Sequence, residues 1–121
     1  MAEKILIIED DAFLGERLLE ILKNNLYEAT WFRDGAHGFQ KILEIKPDLV
    51  LLDIGMPSMT GYEILEAKAK DVAVRDIPVI IISNSGEPLE ISRALALGVK
   101  DYLVKVQLTP EEILEKVKNL F

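Results

Sequence analysis

The sequence contains no cysteine, no long apolar run and no basic tract. The absence of cysteine excludes a disulfide framework, thiolate metal ligation and a cysteine nucleophile. Its apolar runs, such as Val79–Ile82, are far shorter than the ~20 residues that a membrane-spanning helix needs. The formal net charge is −7, which argues against direct nucleic-acid binding by this chain. Since no signal-peptide pattern follows Met1, we predict a soluble, cytoplasmic protein with no membrane contact.

The length and composition are those of one globular domain. The chain has 121 residues, of which 50% are hydrophobic and 29% are charged. These proportions are close to globular averages and exclude disorder or a fibrous repeat. We therefore predict a single domain spanning residues 1–121, with no output domain in this chain.

Short aliphatic runs alternate with segments of helical period along the chain. The runs predict strands at Ile5–Ile8, Glu28–Phe32, Leu49–Asp53, Val79–Ser83 and Lys100–Lys105. The periodic segments predict helices at Ala12–Asn24, Gly35–Ile45, Tyr62–Lys70, Leu89–Leu97 and after the capping box Thr109–Glu112. This alternation predicts an α/β fold whose open, mostly parallel sheet is covered by helices on both faces.

Polar residues interrupt this pattern where the predicted strands end. Glu9 and Asp10 follow the first strand, and Asp53, Ser83 and Lys105 end the third, fourth and fifth. Ligands of such sheets bind beyond the carboxyl ends of the strands, so we expect these side chains to share one crevice. Converging carboxylates recruit a hard cation such as Mg²⁺, and lysine and hydroxyl groups suit phosphate oxygens. The residues themselves therefore predict an aspartyl-phosphate site.

The sequence resembles the receiver domains of two-component response regulators. The similarity lies, in order, in Ile5–Asp11, Leu51–Glu63, Val79–Ser83 and Gly98–Lys105, and it covers essentially the whole chain. The resemblance implies a flavodoxin-like, five-stranded parallel sheet of order 2-1-3-4-5 with five helices on both faces.

The resemblance also implies a phosphoacceptor and a metal site. Asp53 would accept a phosphoryl group from a sensor histidine kinase or a phosphotransfer protein. Asp10 and Asp53 would bind Mg²⁺ through their carboxylates, Gly55 through its backbone carbonyl and Glu9 through a water molecule. The chain would catalyse only its own phosphoryl transfer and slow hydrolysis of the aspartyl phosphate.

The resemblance further implies which residues bind the phosphoryl group and which transmit its effect to a partner. Ser83 and Lys105 would hold the phosphoryl oxygens. Tyr102 would swing inward as Ser83 moves toward the phosphate, and the altered surface would bind a downstream effector protein.

Two positions depart from the family pattern. Val106 stands where the family usually has proline, and because a cis bond before valine costs ~2.5–4 kcal/mol, we predict a trans bond there. Asn84 stands where the family usually has a small residue, and we expect it to crowd the phosphoryl pocket.

Two other functions compete with the switch. A haloacid dehalogenase-type hydrolase also combines Asp, Mg²⁺, Ser or Thr and Lys, but it needs a second acid where this chain has Gly55. A phosphorylation-independent receiver would act only as a protein-interaction module, a reading that Val106 and Asn84 alone favour. The sequence leaves open whether the natural protein is a lone receiver or an excised domain.

Three further features have ordinary structural interpretations. Asp11 is the better candidate for a helix N-cap than for a metal ligand. Trp31 and Phe32 are interpreted as strand packing. The Lys- and Glu-rich segments Glu63–Lys70 and Glu111–Lys118 are interpreted as solvated helix faces.

Overall fold

The computed structural model describes residues 2–121 as five strands alternating with five α-helices. The strands are β1 (Lys4–Ile8), β2 (Glu28–Phe32), β3 (Leu49–Asp53), β4 (Val79–Ser83) and β5 (Asp101–Val104). The helices are α1 (Ala12–Asn24), α2 (Gly35–Ile45), α3 (Gly61–Ala69), α4 (Pro88–Ala96) and α5 (Pro110–Lys118), with a 3₁₀ turn over Lys105–Gln107. The sheet has the order β2-β1-β3-β4-β5 and every pairing is parallel, which confirms the predicted fold class.

The two faces of the sheet carry separate halves of the hydrophobic core. Alternate side chains of each strand point to opposite faces. Leu6 and Leu52 pack with residues of α2, α3 and α4 on one face, whereas Ile7 and Leu51 pack with α1 and α5 on the other. Strands buried on both faces need aliphatic residues at almost every position, which explains why the runs are continuous.

The register brings the carboxyl ends of the strands to one edge. Ile8 of β1 pairs with Leu52 of β3, Asp53 of β3 pairs with Ile82 of β4, and Ser83 of β4 pairs with Val104 of β5. The polar residues that end or follow these strands are therefore neighbours in space although they are distant in sequence.

Side-chain hydrogen bonds cap the first turns of α1 and α5, two helices that begin near this edge of the sheet. The Asp11 side chain accepts hydrogen bonds from the backbone N–H groups of Phe13 and Leu14, which confirms it as the N-cap of α1. Thr109 forms the predicted capping box with Glu112 at the start of α5. Within the described residues, no helix combines the length and apolar character that crossing a membrane requires.

The interpretation of Glu63–Lys70 as a solvated face is wrong at Lys68. This side chain is 6% exposed, and its Nζ donates to the backbone carbonyl of Arg75 at 2.8 Å. Lys68 lies four residues after Ile64 and three after Leu65, so it falls on the buried stripe of α3. The turn after α3 supplies the carbonyl that makes this burial possible.

Candidate functional site

A cavity of about 340 Å³ lies at the carboxyl edge of the sheet. The structure brings the predicted site residues together there. Its lining includes Asp10, Asp53, Gly55, Ser83, Asn84 and Lys105. Glu9 does not line the cavity, since it is only 1% exposed and lies against the residues that do.

A buried ion-pair cluster holds this edge together. The Nζ of Lys105 lies 2.8 Å from the Glu9 carboxylate and 3.2 Å from Oδ2 of Asp53. Glu9 and Asp53 are 1% and 7% exposed, and the side chain of Lys105 is 10% exposed. Because water screens these charges little, each interaction is stronger than a surface ion pair. The cluster joins the ends of β1, β3 and β5.

Burial and charge shift the pKa values of two members of this cluster. Burial raises the pKa of Glu9 to about 7, and the charge of Asp53 adds to the rise. Hydrogen bonds from Lys105 and from the backbone N–H of Asp11 oppose it. Burial alone would lower the pKa of Lys105, but the hydrogen bond and charge of Glu9, with those of Asp53, outweigh burial and raise it.

The acidic residues fit a divalent cation. One carboxylate oxygen from each of Glu9, Asp10 and Asp53 lies within 4.8 Å of the others. The Lys105 ammonium pairs with Glu9 and Asp53, so three carboxylates converge on a single lysine. The buried Oε1 of Glu9 lies 2.8 Å from the Nζ of Lys105, so the ammonium holds this carboxylate. Hard carboxylate oxygens in this number suit Mg²⁺ while leaving room for further oxygen ligands.

Gly55 leaves the mouth of the cavity open next to Asp53. Its backbone N–H donates to Oδ1 of Asp53 at 3.3 Å. A Cβ at this position would meet no atom within 4 Å, so the space beside the Asp53 carboxylate is empty of side chains there. A small molecule or a partner side chain can therefore approach Asp53 from this side.

A hydrogen-bonded path leads from the cavity to the outer strand. The Oγ of Ser83 accepts a hydrogen bond from the backbone N–H of Ser85 at 3.1 Å. The hydroxyl of Tyr102 in β5 donates to the backbone carbonyl of Ser85 at 2.8 Å. Tyr102 is half-buried and packs against the core. A shift of the segment after β4 would thus change the hydrogen bonds of both Ser83 and Tyr102.

The two departures from the family pattern leave Lys105 in place. The peptide bond before Val106 is trans, as predicted, since no cis bond occurs among residues 2–121. Val106 is 83% exposed within the 3₁₀ turn, while Lys105 still reaches both carboxylates. Asn84 lines the cavity, but its side chain is exposed rather than packed over Asp53.

Sequence reasoning missed two contacts to the acidic segment. Nε1 of Trp31 donates to the carbonyl of Glu9 at 2.8 Å, and Nη2 of Arg33 donates to the carbonyl of Asp10 at 2.9 Å. The available signal was the spacing of two between Trp31 in β2 and Arg33 just after it, because side chains two apart along an extended chain point to the same side.

Comparison with known proteins agrees with this geometry. A family described as the response regulator receiver domain matches residues 5–118. The DNA-binding response regulator MtrA of Mycobacterium tuberculosis (strain ATCC 25618 / H37Rv) is 29% identical over 98% of this chain and 50% of its own length. The phosphate regulon transcriptional regulatory protein PhoB of Escherichia coli (strain K12) is 30% identical over 98% and 51%. The chain therefore spans about half the length of these relatives.

Solved structures show the same architecture. The signal receiver domain of a signal transduction histidine kinase from Syntrophus aciditrophicus has a TM-score of 0.86 at 30% identity, covering 98% of this chain and 89% of that one. The chemotaxis response regulator CheY4 of Vibrio cholerae has a TM-score of 0.91 at 23% identity, covering all of both chains. At that identity, the second likeness shows the fold alone.

Proposed function

This chain belongs to the response regulator receiver domain family, and on that premise we propose that it is a switch that accepts a phosphoryl group on Asp53. The donor is a sensor histidine kinase or a phosphotransfer protein, and the response is a changed surface for a downstream effector protein. One observation supports this most. Asp53 lies at the end of β3 beside a cavity, with an ammonium at 3.2 Å and two further carboxylates close by.

The transfer step uses the Asp53 carboxylate as the nucleophile. One of its oxygens forms a bond to phosphorus while the bond between phosphorus and the donor's imidazole nitrogen breaks. The electron pair of that bond returns to the nitrogen, which takes up a proton. Catalysis in such a step is mostly positioning and neutralisation of charge. Lys105 supplies a fixed positive charge for a phosphoryl oxygen, and the Ser83 hydroxyl supplies a neutral donor.

The acidic cluster supplies the metal site in this proposal. Asp10 and Asp53 would hold Mg²⁺ through their carboxylates, Gly55 through its backbone carbonyl and Glu9 through a water molecule. When bound, Mg²⁺ would neutralise the negative charge of the phosphoryl oxygens as they approach the carboxylates. The excess of acids over the Lys105 ammonium is the feature of this chain that supports the assignment.

The signal leaves the site through the segment that follows β4. A phosphoryl group on Asp53 favours a state in which the Ser83 hydroxyl binds it, and the Ser85 backbone follows. Tyr102 is tied to that backbone by its hydroxyl, so the outer strand responds. The phosphate shifts an equilibrium between two conformations by binding one of them better.

The decisive experiment is intact-mass analysis after incubation with Mg²⁺ and a small phosphodonor such as acetyl phosphate. We expect one added phosphoryl group, lost in Asp53→Ala and in the presence of a chelator. The matched control is Asp48→Ala, which removes an exposed acid at the opposite end of the same strand. It should be phosphorylated like the wild type.

Three outcomes would contradict the proposal. An adduct that persists in Asp53→Ala would place the chemistry elsewhere. Continuous release of phosphate from a phosphomonoester, independent of a kinase, would favour a hydrolase. No adduct with Mg²⁺ bound would favour a phosphorylation-independent interaction module, and Val106 and Asn84 would then be the first residues to revert.

A further inference from the structure

We propose that Trp31 and Arg33 are positioning residues for the segment Glu9–Asp11, and that through this segment they set the affinity of the site for Mg²⁺. The inference rests on the proposed function, because it concerns the metal site assigned there. Neither side chain lines the cavity at Asp53, so neither is placed to bind the metal directly.

The segment between β1 and α1 needs support from outside. Glu9 and Asp10 lie after the last residue of β1 and before the first residue of α1. Backbone groups with no regular partner must find other ones when they lie near the core. The carbonyl of the buried Glu9 accepts a hydrogen bond from the Trp31 indole at 2.8 Å, and the carbonyl of the exposed Asp10 accepts one from Arg33 at 2.9 Å.

Residues at the end of β2 and just after it therefore contact this segment at three points. In addition to the two side chains, the carbonyl of Phe32 accepts a hydrogen bond from the backbone N–H of Glu9 at 3.0 Å. Trp31 and Arg33 are two residues apart and share a face, and the Arg33 guanidinium lies 5.8 Å from the centroid of the Trp31 ring. The two side chains thus contact one another as well as the backbone carbonyls of Glu9 and Asp10.

A glycine in the first helix fixes the position of the indole. A Cβ built on Gly15 would lie 2.1 Å from Cε2 of Trp31, a distance that real atoms do not reach. The absence of a side chain at Gly15 lets the ring lie against α1. The same helix begins at the Asp11 cap, so the acidic segment is held between the cap on one side and Trp31 on the other.

This geometry matters for the metal because backbone orientation directs the carboxylates. Outer contacts that orient ligands typically change metal affinity by about 10–100-fold when they are removed. Charge alone predicts the opposite sign for Arg33, since a positive group near the site repels a divalent cation. Loss of the Arg33 charge would tighten Mg²⁺ binding if electrostatics dominated and weaken it if positioning dominates.

The test is a set of variants of the 121-residue chain, titrated with Mg²⁺ by calorimetry and with Mn²⁺ by electron paramagnetic resonance. Trp31→Phe keeps a ring but loses the N–H donor, and we expect affinity about 10-fold weaker than wild type. Arg33→Gln should also weaken binding, and Arg33→Lys should restore it in part. The matched control is Arg17→Gln, which removes the same charge from α1, where its partners are Glu20 and Glu111.

A second readout needs no metal. Hydrogen exchange of the backbone amides of residues 10–12 should be faster in Trp31→Phe and Arg33→Gln than in Arg17→Gln. The circular dichroism melt of each variant checks that it is folded. If Trp31→Phe does not fold, the Arg33 variants alone decide the sign.

The outcomes separate this inference from the proposed function. Affinities unchanged or tighter in Arg33→Gln, with unchanged amide exchange, would overturn the positioning role while leaving the wild-type metal site intact. A wild-type protein that binds neither ion would overturn the metal part of the proposed function, and the positioning role with it. Weaker binding with faster exchange, in the Trp31 and Arg33 variants alone, supports the inference.

Discussion

Two lysines in this molecule are buried in different surroundings. Lys68 in α3 donates to one neutral backbone carbonyl, that of Arg75, and burial lowers its pKa. Lys105 after β5 meets two carboxylates, and despite its burial these raise its pKa. Burial penalises both ammonium groups, so the partners decide which way the pKa moves. Lys68 is a lysine that closes a turn, whereas Lys105 is the counter-charge of an acidic site.

Replacing each lysine with methionine should distinguish the two roles most clearly in the rate of phosphorylation. Lys105→Met removes the fixed charge near Asp53, and we expect a fall of about 100-fold in the rate of phosphorylation by a small donor. Lys68→Met should change that rate less than twofold, since the side chain lies away from the cavity. The rates are measured by intact mass over time with Mg²⁺. Equal rates in the two variants would contradict the assignment of Lys105.

The acidic partner of Lys105 should make metal binding depend on pH. Glu9 has a pKa raised to about 7, so below pH 7 the metal-free protein holds a proton there. Binding Mg²⁺ favours the ionised acid and must release that proton, so affinity falls as the pH falls. With one proton of pKa about 7, we expect roughly tenfold weaker binding at pH 6 than at pH 8.

Calorimetric titrations at several pH values check this dependence. Glu9→Gln should abolish most of the difference between pH 6 and pH 8, whereas Lys68→Met should keep it. A pH-independent wild-type affinity would show that Glu9 is already ionised at pH 6 in the metal-free protein.

The smallest expected effect is on stability at Lys68. Lys68→Met keeps most of the apolar stem but leaves the Arg75 carbonyl without its donor, so we expect the free energy of unfolding to fall by about 1 kcal/mol. Urea denaturation with Lys70→Met as the exposed control measures the difference. A loss as large in the control would mean that Lys68 contributes only helix propensity.

The fold was predictable because strands buried on both faces leave a simple pattern. The predicted strands differ from the structure by at most a residue at each end. The fifth was predicted as Lys100–Lys105 but forms only Asp101–Val104, because Lys105 begins the 3₁₀ turn. The convergence of the acidic residues followed from the rule that ligands bind at the carboxyl ends of parallel strands.

The parts that escaped prediction depend on contacts between distant segments. The burial of Lys68 depends on where the turn after α3 places the Arg75 carbonyl. The hydrogen bond from Trp31 to the Glu9 carbonyl depends on the register of β2 against β1, in which Phe32 pairs with Ile8. Periodicity within one segment cannot show either contact. The individual roles at the cavity came from the family resemblance and stay predictions until Asp53 is tested.

The ion pair between Lys105 and Glu9 joins residues 96 positions apart, which has a consequence for synthesis. Ribosomes release the chain from its amino end, so β1 and β3 emerge long before the lysine that completes the cluster. Contacts between such distant positions form late, because long loops must close first. A nascent chain that has not yet reached Lys105 therefore presents the carboxylates of Glu9 and Asp53 without their counter-charge.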